Sequence, residues 1–334
     1  MDSEFPIFVS VILTAFNEDH YMDGILKDIS RQNYPTEFLE ILVLEAGEYP
    51  EERARTNLGE KSERLRYWRI PTLSRTAALN RLVKEAKGEL VVRLDARTHI
   101  ELDYVERIVQ LSQKENVANV GGVQIPVGES KEQKRIAKIM QHPLSFGGGK
   151  FRNLNYTGPS DSVYLGAFSR KMMFQEPWFD EKHPKISEDS DVNFRIRQSG
   201  GRVLVDSSIQ VQHFPRESLR DFFKLCLNYG VGRGLFFVKH KRFSALRQLV
   251  LPSLFLFSLI LFAFGFLFPL LHLALLAVGS TYLGLVVTVS IKLADIGGKG
   301  IIYLMTGFIG CHIFWTLGFI KSFQIYNHNL RFNL

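Results

Sequence analysis

The sequence near the start of the chain reads Val9-Ser10-Val11-Ile12-Leu13-Thr14-Ala15-Phe16-Asn17-Glu18, an apolar run that stops at a polar turn. Apolar residues then recur at helical spacing between residues 22 and 32, at Ile25, Leu26 and Ile29. A short apolar run bounded by polar residues is typical of a buried strand, whereas spacing of three and four residues is typical of a helix. The stretch therefore predicts a strand, a loop and a helix, the first unit of an α/β domain.

The same alternation continues along the chain. We predict strands at residues 39–44, 65–70, 90–94, 121–124 and 202–206, and helices at 75–86, 131–140, 190–199 and 219–227. Strands that alternate with helices favour a largely parallel sheet covered on both faces. Ligands of such sheets bind at the carboxyl ends of the strands, where Asn17, Glu45 and Asp95 should lie.

The C-terminal quarter of the chain is strongly apolar. Residues 249–291 and 301–320 contain no Asp, Glu, Lys or Arg, and about 20 apolar residues suffice to cross a bilayer. We predict three membrane spans at about 249–268, 271–291 and 301–320, with a hairpin near Pro269 and His272. The predicted organisation is an α/β domain at 1–215, an interfacial amphipathic and basic segment at 216–248 and a transmembrane region at 249–334.

The basic residues give an ambiguous membrane topology. Those before Leu249, together with Lys292 and Lys299, place both flanks of the first two spans inside by the positive-inside rule. Lys321 and Arg331 follow the third span, and an odd number of spans would put them outside. Either the third segment is re-entrant or the rule is locally weak. The acidic start of the chain does not resemble a signal peptide, so we expect the α/β domain to be cytoplasmic at the cell membrane.

Charge and cysteine content exclude several classes of protein. The chain has 41 Lys and Arg against 34 Asp and Glu, a formal net charge of +7. Basic residues cluster between Arg233 and Arg247, beside the apolar region, which favours contact with membrane lipids over nucleic acid, for which no motif is present. Cys226 and Cys311 stand far apart and predict neither a disulfide framework nor a thiolate metal site.

Four segments resemble the family 2 glycosyltransferases. They are residues 9–18, residues 75–95 with their Asn, Gly turn and strand-terminal Asp, residues 161–168 with Gly-Ala, and residues 187–201, which begin Ser-Glu-Asp. Together with residues 147–152, 215–219 and 229–233, they look like the membrane-anchored subgroup that builds succinoglycan-type exopolysaccharides. The resemblance implies a GT-A fold, Rossmann-like with a mostly parallel sheet, followed by C-terminal transmembrane helices.

The resemblance also implies a donor site for a nucleotide sugar. Its residues would be Ala15, Asn17, Glu18, Glu45, Arg75, Asn80 and Asp95. In the family, the strand-terminal Asp begins an Asp-x-Asp motif that holds a divalent cation, Mg²⁺ or Mn²⁺, but here the third position is Arg97. The cation would be held by Asp95 with few protein ligands or with His99, or else Arg97 itself would neutralise phosphate charge.

The segment Ser187-Glu188-Asp189 implies the catalytic base. Asp189 would take the proton of the acceptor hydroxyl, since inverting transfer needs one suitably placed carboxylate. Acidic residues at a helix N-terminus are also stabilised by the helix dipole, and this needs no catalytic role. On the acceptor or diphosphate side the resemblance implies Gly166, Glu188, Arg216 and Arg233, although both arginines could instead face anionic lipid.

The predicted function is transfer of a single sugar, with inversion, from a nucleotide diphosphate sugar, preferably a UDP-sugar, to a lipid-linked saccharide acceptor. Processive synthases of the family carry a Gln-x-x-Arg-Trp motif, which this sequence lacks. Two alternatives stay open: a polyprenyl-phosphate sugar synthase, and a catalytically silent, membrane-tethered nucleotide-binding subunit.

Overall fold

The computed structural model describes residues 6–114, 117–173, 176–181, 187–243, 250–295 and 298–332. These residues fall into two compact units. The first comprises residues up to Ile125 together with Gly149–Phe214, and the second comprises Pro126–Gly148 together with the chain from Pro215 onward.

The first unit is an α/β domain that follows the predicted alternation. Its strands are β1 (Val9–Ala15), β2 (Leu39–Glu45), β3 (Leu65–Arg69), β4 (Leu90–Asp95), β5 (Thr98–Ile100), β6 (Val117–Pro126), β7 (Gly158–Pro159), β8 (Tyr164–Ser169) and β9 (Arg202–His213). Its helices are α1 (Asp19–Ser30), α2 (Glu51–Leu58), α3 (Arg75–Glu85), α4 (Tyr104–Ser112) and α7 (Glu188–Gln198).

The described strands form one mixed sheet in the order β3-β2-β1-β4-β8-β6-β9-β5, with β7 paired to β9. The first four strands are parallel, and β8 joins β4 antiparallel. The parallel half was predicted correctly because β1, β2 and β4 are mostly apolar runs and β3 follows them in the same alternation with helices. Strand β9 extends beyond the predicted end at Asp206, since its polar middle obscured a continuation that pairs with β5.

The sheet buries apolar side chains on both faces. Every residue of β1 and β2 is buried. One face packs against helix α1 through Met22, Ile25 and Ile29, and the other packs against α3 through Ala78, Leu79 and Leu82. This two-sided cover fixes the strand register, which sets Ala15 opposite Glu45 and Thr14 opposite Asp95. The carboxyl ends of three strands therefore meet at one edge.

The second unit is helical. It contains α5 (Lys131–Gln141), α6 (Pro143–Phe146), α8 (Leu219–His240), α9 (Val250–Gly265), α10 (Leu270–Leu293) and α11 (Gly298–Phe332). Residues 126–148 lie within the predicted 1–215 domain in sequence but pack with the C-terminal helices. The physical reason is the apolar face of α5, whose Ile136, Ile139 and Met140 share a core with Phe222 and Phe308.

Helix α8 has 22 residues, more than twice the length of the helix predicted at 219–227. The prediction followed the apolar positions of this helix only as far as Leu227, and the glycines at 230, 232 and 234 intrinsically disfavour a helix. In the structure α8 continues to His240 and packs closely on α11. A Cβ at Gly230 would collide with the Trp315 carbonyl, so glycine is the residue that permits this approach.

Within the described ranges, two helices are long and apolar enough to cross a membrane: Leu270–Leu293 and residues 298–326. Helix α9, in the first predicted span, has 16 described residues, about 24 Å at 1.5 Å per residue, against a hydrocarbon core of about 30 Å. Within the described residues there are thus two candidate spans and one shorter apolar helix, and residue 249 lies outside them. The three-span arrangement stays a prediction. The chain turns at residues 266–269, so the hairpin at Pro269 is where the sequence predicted it.

Candidate active site

Asn17, Glu45 and Asp95 lie at the predicted edge of the sheet. Asn17 follows β1 with a φ of 55°, a left-handed backbone that costs free energy for most residues and is tolerated best by Gly, Asn and Asp. A Cβ on Gly47 would lie 2.5 Å from a Glu45 oxygen and 2.8 Å from the Asn17 side-chain oxygen. The loop after β2 thus passes directly against both polar side chains, next to buried Ala15 at the end of β1.

The Glu45 carboxyl group is fully buried. Its Oε1 accepts a hydrogen bond from the Gly47 amide, whereas Oε2 is buried without a hydrogen-bond partner. Burial raises the pKa of Glu45 to about 7. The Gly47 hydrogen bond lowers this pKa, whereas the nearby carboxylates of Asp19 and Glu18 raise it further. At neutral pH a large share of Glu45 is therefore protonated and can donate as well as accept a hydrogen bond.

This pKa predicts how stability depends on pH. A group whose folded pKa is raised stabilises the fold fully below its ordinary pKa, here 4.5, and this contribution disappears as pH rises through about 7. We expect Glu45→Gln, which cannot ionise, to have a melting temperature that falls less than that of the wild type between about pH 5 and about pH 8. Parallel melting curves of Glu37→Gln, on an exposed residue, serve as the control; an equal fall for Glu45→Gln and wild type would contradict the pKa assignment.

Four charged side chains form a compact cluster behind this edge. Arg75 Nη2 lies 2.5 Å from Asp95 Oδ2, and Arg75 Nε lies 3.5 Å from Glu188 Oε1. Arg93 Nη2 lies 2.9 Å from the same Glu188 oxygen and its Nε lies 3.4 Å from Asp95 Oδ1. The cluster ties the end of β4 to the start of α7, since each arginine contacts both carboxylates.

The cluster keeps Asp95 ionised. Burial alone would raise the pKa of Asp95, but the charges of Arg75 and Arg93 and the Arg75 hydrogen bond outweigh it and lower the pKa to about 2. The same carboxylates raise the pKa values of both arginines despite their burial. Asp95 and both arginines are therefore charged at any physiological pH, and both arginines also lie within ion-pair distance of Glu188.

Arg93 was missed by the sequence analysis. It occupies the middle of the apolar run Leu90-Val91-Val92-Arg93-Leu94 and is 6% exposed. A buried arginine requires an anionic partner, so an arginine inside an otherwise apolar strand was itself the signal that a carboxylate cluster lies nearby.

Asp189 and Glu188 diverge at the start of α7. Glu188 is buried and faces the arginines, whereas Asp189 is half-buried. The Ser190 amide donates to Asp189 Oδ1 at 2.8 Å, and the Ser162 hydroxyl lies 3.4 Å from Oδ2. The preceding residue, Ser187, adopts a φ of 78°, a left-handed turn that sets the direction in which the helix begins.

A buried chain of polar groups supports Asp189 from behind. Asn119 donates to Asn193 at 2.6 Å, and Asn193 donates to the Ser162 hydroxyl at 3.1 Å. Gly166 leaves the space for this chain, because a Cβ there would lie 2.5 Å from the Asn119 side chain. The absence of a side chain at Gly166 of β8 thus leaves room for the hydrogen-bonded chain that positions Ser162 beside Asp189.

The remaining predicted donor residues have other partners in the structure. Asn80 exchanges hydrogen bonds with the backbone of Phe179, at 2.8 and 2.9 Å, and so fastens a neighbouring loop. Glu18 pairs with Arg97 at 3.2 Å, and the Arg97 guanidinium lies 4.3 Å from the Tyr21 ring centroid. Arg97, at the third position of the incomplete Asp-x-Asp motif, is therefore engaged with the protein.

A protein cage for a cation is absent from the described residues, where no group of three or more His, Cys, Asp or Glu could hold a metal. The His99 ring is hydrogen-bonded to Asp28 at 2.6 Å and lies against Gly24 of α1, so it is occupied there. Asp95 Oδ2 is held by Arg75, whereas Oδ1 is only loosely contacted by Arg93. The residues present fit a cation bound through one carboxylate oxygen, with its other ligands drawn from substrate phosphate and water.

Arg216 and Arg233 belong to the second unit. Arg216 lies just before α8 and Arg233 lies within it, both half-buried. Their role on the diphosphate side stays a prediction.

Comparison with known proteins decides the family. Residues 10–174 match the sequence model described as Glycosyl transferase family 2, a range that contains β1 to β8 and most of the site. The chain carries a family 2 glycosyltransferase domain. It is therefore a glycosyltransferase, as the sequence motifs predicted.

Two curated relatives match more of the chain than the family model does. The enzyme is 24% identical over 272 residues to the dolichyl N-acetyl-alpha-D-glucosaminyl phosphate 3-beta-D-2,3-diacetamido-2,3-dideoxy-beta-D-glucuronosyltransferase of Methanococcus voltae, covering 79% of this chain and 80% of the relative. It is 25% identical over 244 residues to the succinoglycan biosynthesis protein ExoA of Rhizobium meliloti (strain 1021), covering 72% and 73%. The predicted resemblance to the succinoglycan-type enzymes is confirmed.

Solved structures confirm the GT-A fold. The mannosyltransferase PcManGT from Pyrobaculum calidifontis, solved with GDP-Man and Mn²⁺, superposes with a TM-score of 0.61 at 16% identity, over 96% of this chain and 88% of that chain. GalNAc-T7, solved with UDP, GalNAc and Mn²⁺, superposes with a TM-score of 0.50 at 13% identity, over 73% and 53%.

Proposed function

We propose that this glycosyltransferase moves a single sugar, with inversion, from a nucleotide diphosphate sugar to the hydroxyl of a lipid-linked saccharide. The observation that carries the proposal is the divergence of Glu188 and Asp189. One carboxylate is buried in the charge cluster with Asp95, and its neighbour is left half-exposed and oriented by Ser190 and Ser162. The donor-side and acceptor-side groups are thereby joined through two arginines.

In this proposal Asp189 accepts the proton of the acceptor hydroxyl as its oxygen attacks the anomeric carbon. A half-exposed carboxylate suits this task, because it can reach the acceptor hydroxyl of a bound substrate. The bond from the anomeric carbon to the diphosphate breaks on the opposite side, and the electron pair leaves with the diphosphate.

The nucleoside of the donor would bind at Asn17, Glu45 and the loop against Gly47, and a UDP-sugar is the preferred donor. A divalent cation, when bound through Asp95, would neutralise charge on the diphosphate. Arg75 and Arg93 hold the Asp95 carboxylate in place and add positive charge beside it. The relatives support a lipid-linked acceptor, since one of them is named as acting on a dolichyl phosphate sugar.

Membrane anchoring follows in the proposal from the apolar helices of the C-terminal region, with the catalytic unit on the cytoplasmic side. Anchoring would place the enzyme in the same membrane as a lipid-linked acceptor.

The test is transfer of radiolabelled sugar from a panel of UDP- and GDP-sugars into lipid extracts of membranes that contain the enzyme, with and without EDTA. We expect label from one UDP-sugar, and a loss of label with EDTA that added Mg²⁺ or Mn²⁺ restores. Mass spectrometry of the product distinguishes a glycosidic bond to a saccharide from a bond to the lipid phosphate, which would identify a polyprenyl-phosphate sugar synthase instead. No label from any donor would favour a silent subunit.

A further inference from the structure

Helix α11 differs from α10 in how its apolar surface is covered. In the most apolar window of α10 only 6% of residues are buried inside the protein, against 44% for α11. The buried side of α11 carries Leu304, Phe308, Cys311, Trp315 and Phe319. Its exposed apolar side chains form one stripe: Ile302, Ile313, Leu317, Ile320 and Phe323. A helix exposed all round is suited to a lipid surround, whereas one apolar stripe is suited to a lipid surface.

The partner of α11 is α8, a helix too polar to cross a bilayer. A Cβ at Gly234 would collide with Ser322, and one at Gly318 would collide with the Leu227 carbonyl, so the two helices touch along most of α8. Phe223 and Phe314 stack with ring centroids 5.1 Å apart. Wherever α11 lies in the membrane, α8 must lie beside it.

Two cations of α8 limit how deeply α8 and α11 can enter the bilayer. Arg220 and Lys224 line a groove of about 440 Å³ together with Phe223, Leu227, Asn228 and Phe314. Phe314 is close to the middle of the charge-free stretch 301–320, so a membrane-spanning α11 would carry both cations into the hydrocarbon core. Lys224 is paired with Asp221 at 2.8 Å but its side chain is 61% exposed, and exposed charges at that depth are strongly unfavourable.

We propose that α8 and α11 lie together along the surface of an anionic bilayer, that α11 does not cross it, and that the groove at Arg220 and Lys224 takes the phosphate headgroup of an anionic phospholipid. The apolar stripe of α11 then enters the outer part of the acyl layer, while the hairpin of α9 and α10 is inserted in the bilayer. The aromatic floor and cationic rim of the groove match an amphiphile with a negative head.

This arrangement resolves the conflict among the basic residues. Lys138 of α5 donates to the Leu293 carbonyl at 3.0 Å and pairs with Asp295 at 2.6 Å, which holds the α10–α11 connection beside α5. Only residues 127–130 connect β6 of the catalytic sheet to α5, and so short a segment cannot cross a hydrocarbon core of about 30 Å. The α10–α11 connection held by α5 is therefore on the same side of the membrane as the catalytic sheet. With α11 on the surface, Lys299 and Lys321 lie on that side too, as the positive-inside rule requires.

Cysteine labelling tests the topology. Lys84→Cys, at an exposed position of α3, marks the catalytic side of the membrane. Lys299→Cys and Lys321→Cys mark the two ends of the apolar part of α11. The wild type gives the background labelling, since its Cys226 and Cys311 are buried. A membrane-impermeant maleimide is applied to inside-out and right-side-out vesicles. We expect all three positions to react in the same vesicle type. Reaction of Lys321→Cys in the opposite type would overturn the proposal.

Lipid crosslinking tests the groove in the full chain in nanodiscs. We expect a photoactivatable phosphatidylglycerol probe to label α8 more than a phosphatidylcholine probe, and inorganic phosphate not to compete. The double variant Arg220→Glu and Lys224→Glu should lose this preference by roughly an order of magnitude or more, at about fivefold per charge. The control variant Lys27→Glu with Arg31→Glu, at the C-terminal end of α1, should keep it. Equal labelling by both probes, or competition by free phosphate, would overturn a phospholipid occupant. Neither readout depends on sugar transfer, so the result stands apart from the proposed activity.

Discussion

Replacing Asp189 by Asn is expected to lower the rate of sugar transfer by about 10²- to 10⁴-fold, the usual contribution of a general base. Asn keeps the shape of the side chain and can still accept the Ser190 amide hydrogen bond at Oδ1, so the start of α7 should be preserved. Donor binding should change little, because the residue acts on the acceptor. The measurement is the initial rate of label transfer at saturating donor, with donor affinity measured separately.

Asp206→Asn is a matched control for this substitution. Asp206 also accepts a hydrogen bond from a backbone amide, that of Ser208 at 2.9 Å, but it lies in the polar middle of strand β9. It should retain the wild-type rate. If Asp189→Asn kept more than about a tenth of the activity, the carboxylate would be one of several helix N-terminal acids with no role in proton transfer.

Replacing Arg93 by Met should give the largest loss of stability among single changes at the site. The substitution fills a similar volume but leaves Glu188 and Asp95 buried with Arg75 as their remaining cation. Removing one partner of a buried ion pair costs about 3–5 kcal/mol. We expect a loss near the lower end of this range, because Arg75 still pairs with both carboxylates. The measurement is the free energy of unfolding of the catalytic unit within the full chain in detergent.

Two further variants separate the charge effect from loss of packing. Arg107→Met removes an exposed cation paired with Asp103, and exposed pairs contribute about 0–1 kcal/mol. The double variant Arg93→Met with Glu188→Gln removes one charge of each sign, so it should be more stable than Arg93→Met alone. A loss below about 1 kcal/mol for Arg93→Met would mean that the cluster contributes little to folding.

The parallel half of the sheet and its polar edge could be predicted because their information is local. Apolar runs define β1, β2 and β4, and parallel pairing brings their carboxyl ends together whatever the helices do. Asn17, Glu45 and Asp95 follow from the same positions, whereas Asp189, at the start of α7, was predicted from the family resemblance.

What each side chain contacts could not be predicted, because the partners are distant in sequence. Glu188 and Arg93 are 95 residues apart, and nothing near Glu188 indicates that it turns inward while Asp189 does not. His99 appeared to be a metal ligand by its distance from Asp95 in sequence, yet its partner is Asp28 on α1. In α8, packing on α11 overrides the poor helix propensity of three glycines.

The membership of α5 in the helical unit limits how this transferase can be shortened. From the strand boundaries alone, a fragment that ends before α8 would be expected to be a soluble domain, since it contains the whole sheet. It would nevertheless keep α5 and lose the side chains of Phe222 and Phe308 that cover Ile136, Ile139 and Met140. An uncovered apolar face of that kind promotes aggregation. A water-soluble form of the enzyme therefore requires polar replacements on α5 or excision of residues 126–148, in addition to removal of the anchor.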